Sequence, residues 1–308
     1  MGVKSLTSFL QQETPHALCV FDDLTRYRRM TMAIDVSIYM YRYAYAREST
    51  SQHCVQQFMR LNQRLAAAQV RPVYVFDGKP SAQKRDVIRH RARRRERVDA
   101  QSAPRRPRVT ADHYARLRAA LQAERIAYVQ AEGDAEKACA WLCMMGFAHL
   151  VASDDYDALA YGAPLVVRNL NSSVFTEINR RALLRHAGMS ERQFVEFCIL
   201  SGCDFTPKGC CLGMRRALET TRATHPSPYT PALLSAVREY SITEVPLSAQ
   251  MSCATFLVRG VVGAISLACT AGAVEAMRVK ERSSSPGQKT CGPHAHPETH
   301  GLGDGAVR

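Results

Sequence analysis

Five short apolar segments alternate with helical stretches along the N-terminal half of this chain, and four of them lead into acids. Met30–Val36 carries Asp35 near its C-terminal end, and Arg71–Phe76 runs directly into Asp77-Gly78. Ile126–Val129 leads to Asp134 and Glu136, and Phe147–Ala152 leads to Asp155 and Asp157. Leu165–Val167 closes the series. Helical segments separate these strands, at about 52–68, 81–98, 110–124 and 134–145. Crossover helices of this kind return the chain to the same edge, so successive strands pair in parallel. The sequence therefore predicts an α/β fold with a mainly parallel central sheet covered by helices on both faces. Open sheets of this type bind ligands beyond the carboxyl ends of their strands, which is where the acids fall.

Six carboxylates on one rim repel one another unless cations neutralise them. Hard divalent cations take carboxylate oxygens, and phosphodiester cleavage is chemistry that uses such ions. An Asp after a strand also caps the next helix, and for any single acid here both readings stand. Capping does not ask for an acid inside a strand, as at Asp35, nor for the spacings Asp134-x-Glu136 and Asp155-x-Asp157. The set as a whole reads as a metal site.

The net charge of +13 and a pI near 9.4 favour a polyanionic partner, nucleic acid first among them. Eleven Lys and Arg against three acids lie between Lys84 and Arg108, directly after Asp77. Lys84, Arg91 and Arg95 share one helical face, with Arg94 beside them. A charge run of this kind is otherwise a solvated face or a localisation signal. Further on, Glu191–Ser201 reads as a helix ending at Gly202-Cys203-Asp204, which adds another acid. Gly213 then opens a basic helix with Arg215 and Arg216, where free backbone N–H groups suit a phosphate. The eleven cysteines are an odd number with no even spacing, and no signal peptide opens the chain. They read as reduced thiols of an intracellular protein.

The stretches Met1-Gly2-Val3-Lys4-Ser5-Leu6, Ala33-Ile34-Asp35-Val36-Ser37-Ile38-Tyr39 and Val75-Phe76-Asp77-Gly78-Lys79-Pro80 follow one another in order. Asp134-Ala135-Glu136, Asp155-Tyr156-Asp157 and Leu200-Ser201-Gly202-Cys203-Asp204-Phe205 complete the series. With these motifs, residues 1–225 resemble the flap endonuclease/XPG family of structure-specific 5′ nucleases. The resemblance implies a PIN-like 5′-nuclease fold with a basic helical arch, about 81–125, and a helix-two-turn-helix, about 204–225. It implies a two-metal mechanism with Mg²⁺, for which Mn²⁺ can substitute. Asp134, Glu136 and Asp155 would hold one ion. Asp157 and Asp204, sharing Asp155, would hold the other, and Asp35 and Asp77 would act through waters. It also implies catalytic roles for Lys84 and Arg91 at the scissile phosphate. DNA contacts are implied for Gly2, Tyr41, Arg94, Arg95, Gly213, Arg215 and Arg216, with K⁺ at the helix-two-turn-helix.

Three departures accompany the resemblance. Asp134 stands where the family usually has Glu, and Cys211 stands at the first glycine of the Gly-x-Gly hairpin. Asp77 and Asp134 are 57 positions apart, a short span for a full arch and closer to that of junction-resolving members.

Beyond about residue 226 the resemblance fades. Residues 226–280 read as a helical extension, whose apolar run is shorter than a bilayer needs, and 281–308 as a disordered tail. Cys291, His294, His296 and His300 lie in that tail. No sliding-clamp motif is recognisable, and the short chain resembles a DNA-virus member of the family. The expected activity is hydrolysis of DNA at 5′ flaps and branched junctions, in replication, repair or recombination. The expected location is the nucleus or a viral replication site, without a membrane. The alternatives are a Holliday-junction- or bubble-cutting nuclease, a 5′–3′ exonuclease, an RNA-cleaving nuclease, or a non-catalytic DNA-binding module. The sequence sets no oligomeric state.

Overall fold

The apolar segments pair as the centre of a seven-stranded sheet. A computed structural model describes residues 3, 6–45, 50–80, 82–99, 109–204, 206 and 211–223. All of these lie in one compact unit, Met1–Gly263. The expectations for residues 226–308, and for Gly2, lie outside the described residues.

The parallel strands are β2 (Thr31–Asp35), β3 (Arg71–Phe76), β4 (Tyr128–Gln130), β5 (Leu150–Ala152) and β6 (Leu165–Arg168). Two further strands, β1 (Leu18–Phe21) and β7 (Phe175–Asn179), extend one edge antiparallel. The order is β1-β7-β6-β5-β2-β3-β4. From β2 the chain builds outward through β3 and β4, then returns to the other side of β2 to start β5. That reversal is a topological switch point, and it opens a crevice at the C-terminal ends of β2 and β5. Asp35 ends one of these strands, and Asp155 and Asp157 follow the other.

Side chains alternate across the sheet, which divides the core in two. Ala33, Val75, Val151, Val166 and Ile178 face one layer. That layer contains α1 (Leu6–Gln12), α6 (Ala135–Met144), the short α7 (Asp157–Ala160), α8 (Arg180–Ala187), α9 (Glu191–Ser201) and α10 (Met214–Arg222). Met32, Ile34, Tyr74, Phe76 and Ala152 face the other, which contains α2 (Val36–Ala44), α3 (Ser51–Ala67) and α5 (Ala111–Ala123). The basic segment forms α4 (Ala82–Asp99), with Lys84 near its start. Among the described residues no helix is long and apolar enough to cross a membrane.

Candidate metal centre

Three acids converge at the switch point. One carboxylate oxygen from each of Glu136, Asp155 and Asp157 lies within 4.8 Å of the others, and all three residues are buried. Glu136 sits on the first turn of α6, while Asp155 and Asp157 sit on the bend from β5 into α7. Burial penalises the charged forms of Glu136 and Asp155, and neighbouring carboxylates add to the penalty. Glu136 is held well above its ordinary range by burial, then by Asp155 and Asp157. Asp155 is raised by burial, with Asp204 adding to the effect. Asp35 is raised well above its ordinary value by burial and then by Asp77.

Two charges about 4.8 Å apart repel by ~3–4 kcal/mol at an effective dielectric of about 20. Lys84 Nζ lies 2.9 Å from Asp134 Oδ2 and brings one positive charge to this rim. Burial opposes the Lys84 charge, yet Asp134 and Glu136 outweigh it and hold the ammonium above its ordinary range. The Lys84 ammonium alone does not balance three converging carboxylates and their acidic neighbours. The donor set is all-oxygen, buried and like-charged, which fits a hard divalent cation.

The fold fixes these acids with hydrogen bonds from backbone and hydroxyl groups. Asp35 Oδ1 accepts from the Ser37 amide at 3.0 Å and so caps α2. Capping and convergence are therefore compatible, where the sequence reading set one against the other. Asp77 Oδ1 accepts from the Ala135 amide at 2.7 Å, so an acid after β3 caps a helix that follows β4. Asp134, in the N-cap position itself, makes no side-chain cap bond. Its Oδ2 accepts from Tyr161 Oη at 3.3 Å and pairs with Lys84. The other Asp77 oxygen accepts from the Ser37 hydroxyl. Gly78 is dictated by close approach: a Cβ there would sit 2.2 Å from the Ala131 carbonyl oxygen.

The remaining expected residues are placed less closely. Asp204 lies in the turn after α9, half-buried, and its charge reaches Asp155. Tyr41 lies half-buried on α2, stacked on Tyr45 at 6.3 Å between ring centroids. Gly213 takes φ 74° before α10, and Arg215 and Arg216 are exposed on that helix. Arg91, Arg94 and Arg95 belong to α4, but their side chains are outside the described residues. The sequence reading missed Ser37 and Ser153. Ser153 Oγ lies 3.4 Å from Asp35 Oδ2 and 3.3 Å from Glu136 Oε1, and accepts from the Asp155 amide at 3.2 Å. A small hydroxyl residue directly before an acidic run was the one signal that could have flagged it.

With this geometry in place, the comparisons with known proteins are decisive. The XPG N-terminal domain matches residues 1–98 and the XPG I-region matches residues 125–204, together more than half of the chain. The chain belongs to the XPG family. A flap endonuclease 1-A of Laccaria bicolor is 30% identical over 254 residues, 72% of this chain and 64% of the relative. The flap endonuclease 1 of Enterocytozoon bieneusi is 29% identical over 71% of this chain and 69% of its own length. The chain thus spans just under two thirds of the Laccaria relative. Among solved structures, the catalytic core of Rad2 in complex with DNA substrate superposes with a TM-score of 0.59 at 25% identity. That match covers 72% of this chain and 68% of the Rad2 core. The architecture of this XPG-family chain is the PIN-like 5′-nuclease fold: a mostly parallel sheet between two helical layers.

Proposed function

We propose that this chain is a structure-specific 5′ nuclease that hydrolyses DNA phosphodiesters at 5′ flaps and branched junctions with divalent metal. The observation that carries the reading is the buried convergence of Glu136, Asp155 and Asp157 beside the root of a basic helix. Membership of the XPG family, and relatives named as flap endonucleases, support it.

Asp134, Glu136, Asp155, Asp157 and Asp204 would hold two Mg²⁺ or Mn²⁺ ions, with Asp35 and Asp77 outside them. Bound there, the ions would lower the pKa of an attacking water and offset charge on the phosphoryl oxygens. The chain's own residues do the rest. Lys84 is poised at the acidic rim to meet a phosphate, and Arg91 follows on the same helical face. Tyr41 offers a stacking face for an unpaired base. Arg94 and Arg95 on α4, and Gly213, Arg215 and Arg216 at α10, would engage the DNA backbone, Gly2 would add a DNA contact, and the helix-two-turn-helix around Gly213 would hold K⁺. The setting is replication, repair or recombination in a nucleus or a viral replication site. The main alternative is a nuclease that cuts Holliday junctions or bubbles, which the short span between Asp77 and Asp134 favours, or a 5′–3′ exonuclease.

The test is cleavage of labelled 5′-flap, Holliday-junction, gapped and single-stranded DNA with Mg²⁺, with EDTA, and with the variant Asp155→Ala. The proposal expects incision at the flap base that EDTA and the variant both abolish. Symmetric junction cuts without flap cutting would move the assignment to a resolvase. Binding without cutting in any divalent metal would overturn the enzyme reading. K⁺-for-Na⁺ exchange in the binding assay tests the monovalent site, which predicts tighter binding in K⁺.

A further inference from the structure

Asp155 and Asp157 sit on a segment gripped from outside by residues that no metal-binding pattern contains. Arg168, the last residue of β6, lies against this segment from the neighbouring strand. Its guanidinium stacks over the Tyr156 ring, with its carbon 3.9 Å from the ring centroid. Its Nε donates to the Asp154 carbonyl at 3.1 Å, and its Nη1 donates to the Tyr156 hydroxyl. Asn169 follows with φ 58°, the left-handed conformation that Asn tolerates better than most residues. That turn points the Asn169 amide at Asp154 Oδ1, 2.6 Å away. Arg42 of α2 pairs with the other Asp154 oxygen, Oδ2. From the opposite side, Thr7 of α1 donates its hydroxyl to the Tyr156 hydroxyl at 2.9 Å.

The contacts from Arg168, Asn169, Arg42 and Thr7 all fall on Asp154 or Tyr156, the two residues that interleave with Asp155 and Asp157. Side chains of adjacent residues on such a bend point different ways, so fixing two of the four fixes the others. The arrangement also explains why the run Asp154-Asp155-Tyr156-Asp157 contains three acids of two kinds. Asp154 pairs with Arg42 and accepts from the Asn169 amide, whereas Asp155 and Asp157 belong to the converging group.

We propose that Arg168 is a positioning residue: it acts through Tyr156 and Asp154 to hold Asp155 and Asp157 at metal-binding separation. The inference rests on the nuclease reading of the site and deepens it. Groups that orient metal ligands from outside the ligand set change metal affinity or activity by about 10–100-fold when removed. A guanidinium is suited to this work because one planar group stacks on the ring and donates in two directions at once. A lysine keeps the charge but has neither the stack nor the fork.

The experiment compares full-length wild type, Arg168→Ala, Arg168→Lys and Tyr156→Phe. The first readout is the Ca²⁺ concentration that gives half of the thermal stabilisation, which needs no turnover. The second is kcat and KM on a labelled 5′-flap substrate with saturating Mg²⁺. Tyr156→Phe keeps the ring and removes only the hydroxyl that Thr7 and Arg168 share, so it guards against a folding defect in the alanine variant. The proposal expects the Ca²⁺ midpoint to rise about 10-fold in Arg168→Ala, with kcat down about 10–100-fold and KM within about 3-fold. Arg168→Lys recovers only part of this, and Tyr156→Phe gives a smaller shift in the same direction. An unchanged Ca²⁺ midpoint with a raised KM would overturn the proposal and make Arg168 a DNA-binding residue. A fall in metal-free melting temperature with an unchanged midpoint would overturn it in favour of a purely structural role. If wild type shows a Ca²⁺ shift that Arg168→Ala weakens but cuts no DNA, the positioning inference stands while the nuclease reading fails.

Discussion

The acidic rim and the basic surface of this protein carry opposite charges and are built in opposite ways. Glu136, Asp155 and Asp157 are buried, the Ala135 amide beside Glu136 donates to Asp77, and the Asp155 amide donates to the Ser153 hydroxyl. Arg215 and Arg216 are exposed on α10, and α4 carries a long run of Arg beyond Lys84. Burying like charges raises the free energy of the ion-free fold, and a bound cation or a proton on one of the acids would relieve it. Exposed arginines cost the fold little, and they act through long-range attraction that salt screens. On the proposed function, the difference teaches that the rim would set whether chemistry occurs, and the basic surface how readily DNA arrives.

Changing the rim should break activity, and changing the surface should only weaken it. Asp155→Asn removes a charge from the converging group, and flap cleavage measured by single-turnover kinetics should fall by about 10³-fold, a loss on the scale of one preorganised catalytic group. Lys84→Met removes the ammonium that bridges the two regions, and the same assay should show a loss of about 10–100-fold. Glu136→Gln probes the strain directly. Its carboxyl is held above the ordinary value of 4.5, so it favours folding while protonated, and that contribution is lost as pH rises through the folded value. In the metal-free protein at pH 7 the variant should therefore melt a few degrees higher, about 2–4 °C for each kcal/mol relieved. The gap should close as pH falls toward 4.5. The smallest effect belongs to Arg215→Ala with Arg216→Ala, seen as weaker DNA binding in anisotropy titrations. The slope of log affinity against log salt should become shallower by about 1 for each phosphate no longer neutralised.

The parallel half of the fold was legible because its strands are continuous apolar runs. Arg71–Phe76 emerges with the boundaries read from sequence, and Met30–Val36 trims to Thr31–Asp35. The antiparallel edge was not legible. The strand Leu18–Phe21 has four residues, and Cys19 and Val20 face solvent at the sheet edge. Phe175–Asn179 buries Glu177, an acid made tolerable by Tyr27 at 2.6 Å and by Arg26, partners about 150 residues away in sequence. The short helices Leu6–Gln12 and Arg180–Ala187 escaped for a related reason. The second buries Arg180, which pairs with Glu191 and donates to the Leu159 carbonyl.

At the site, spacing singled out Asp155 and Asp157, but Asp154 beside them looks identical in sequence. Only the pairing of Asp154 with Arg42 and the Asn169 amide separates them. The cap that Asp77 gives to α6 was equally invisible, since it joins residues 58 positions apart.

The central claim is that the buried carboxylates form a divalent-cation site. Calorimetric titration of Mn²⁺ into the wild-type protein and into Asp155→Asn tests it without reliance on turnover. The account predicts saturable binding to the wild type that weakens by at least about 10-fold in the variant. Equal binding by the two proteins, or none by the wild type, would contradict it.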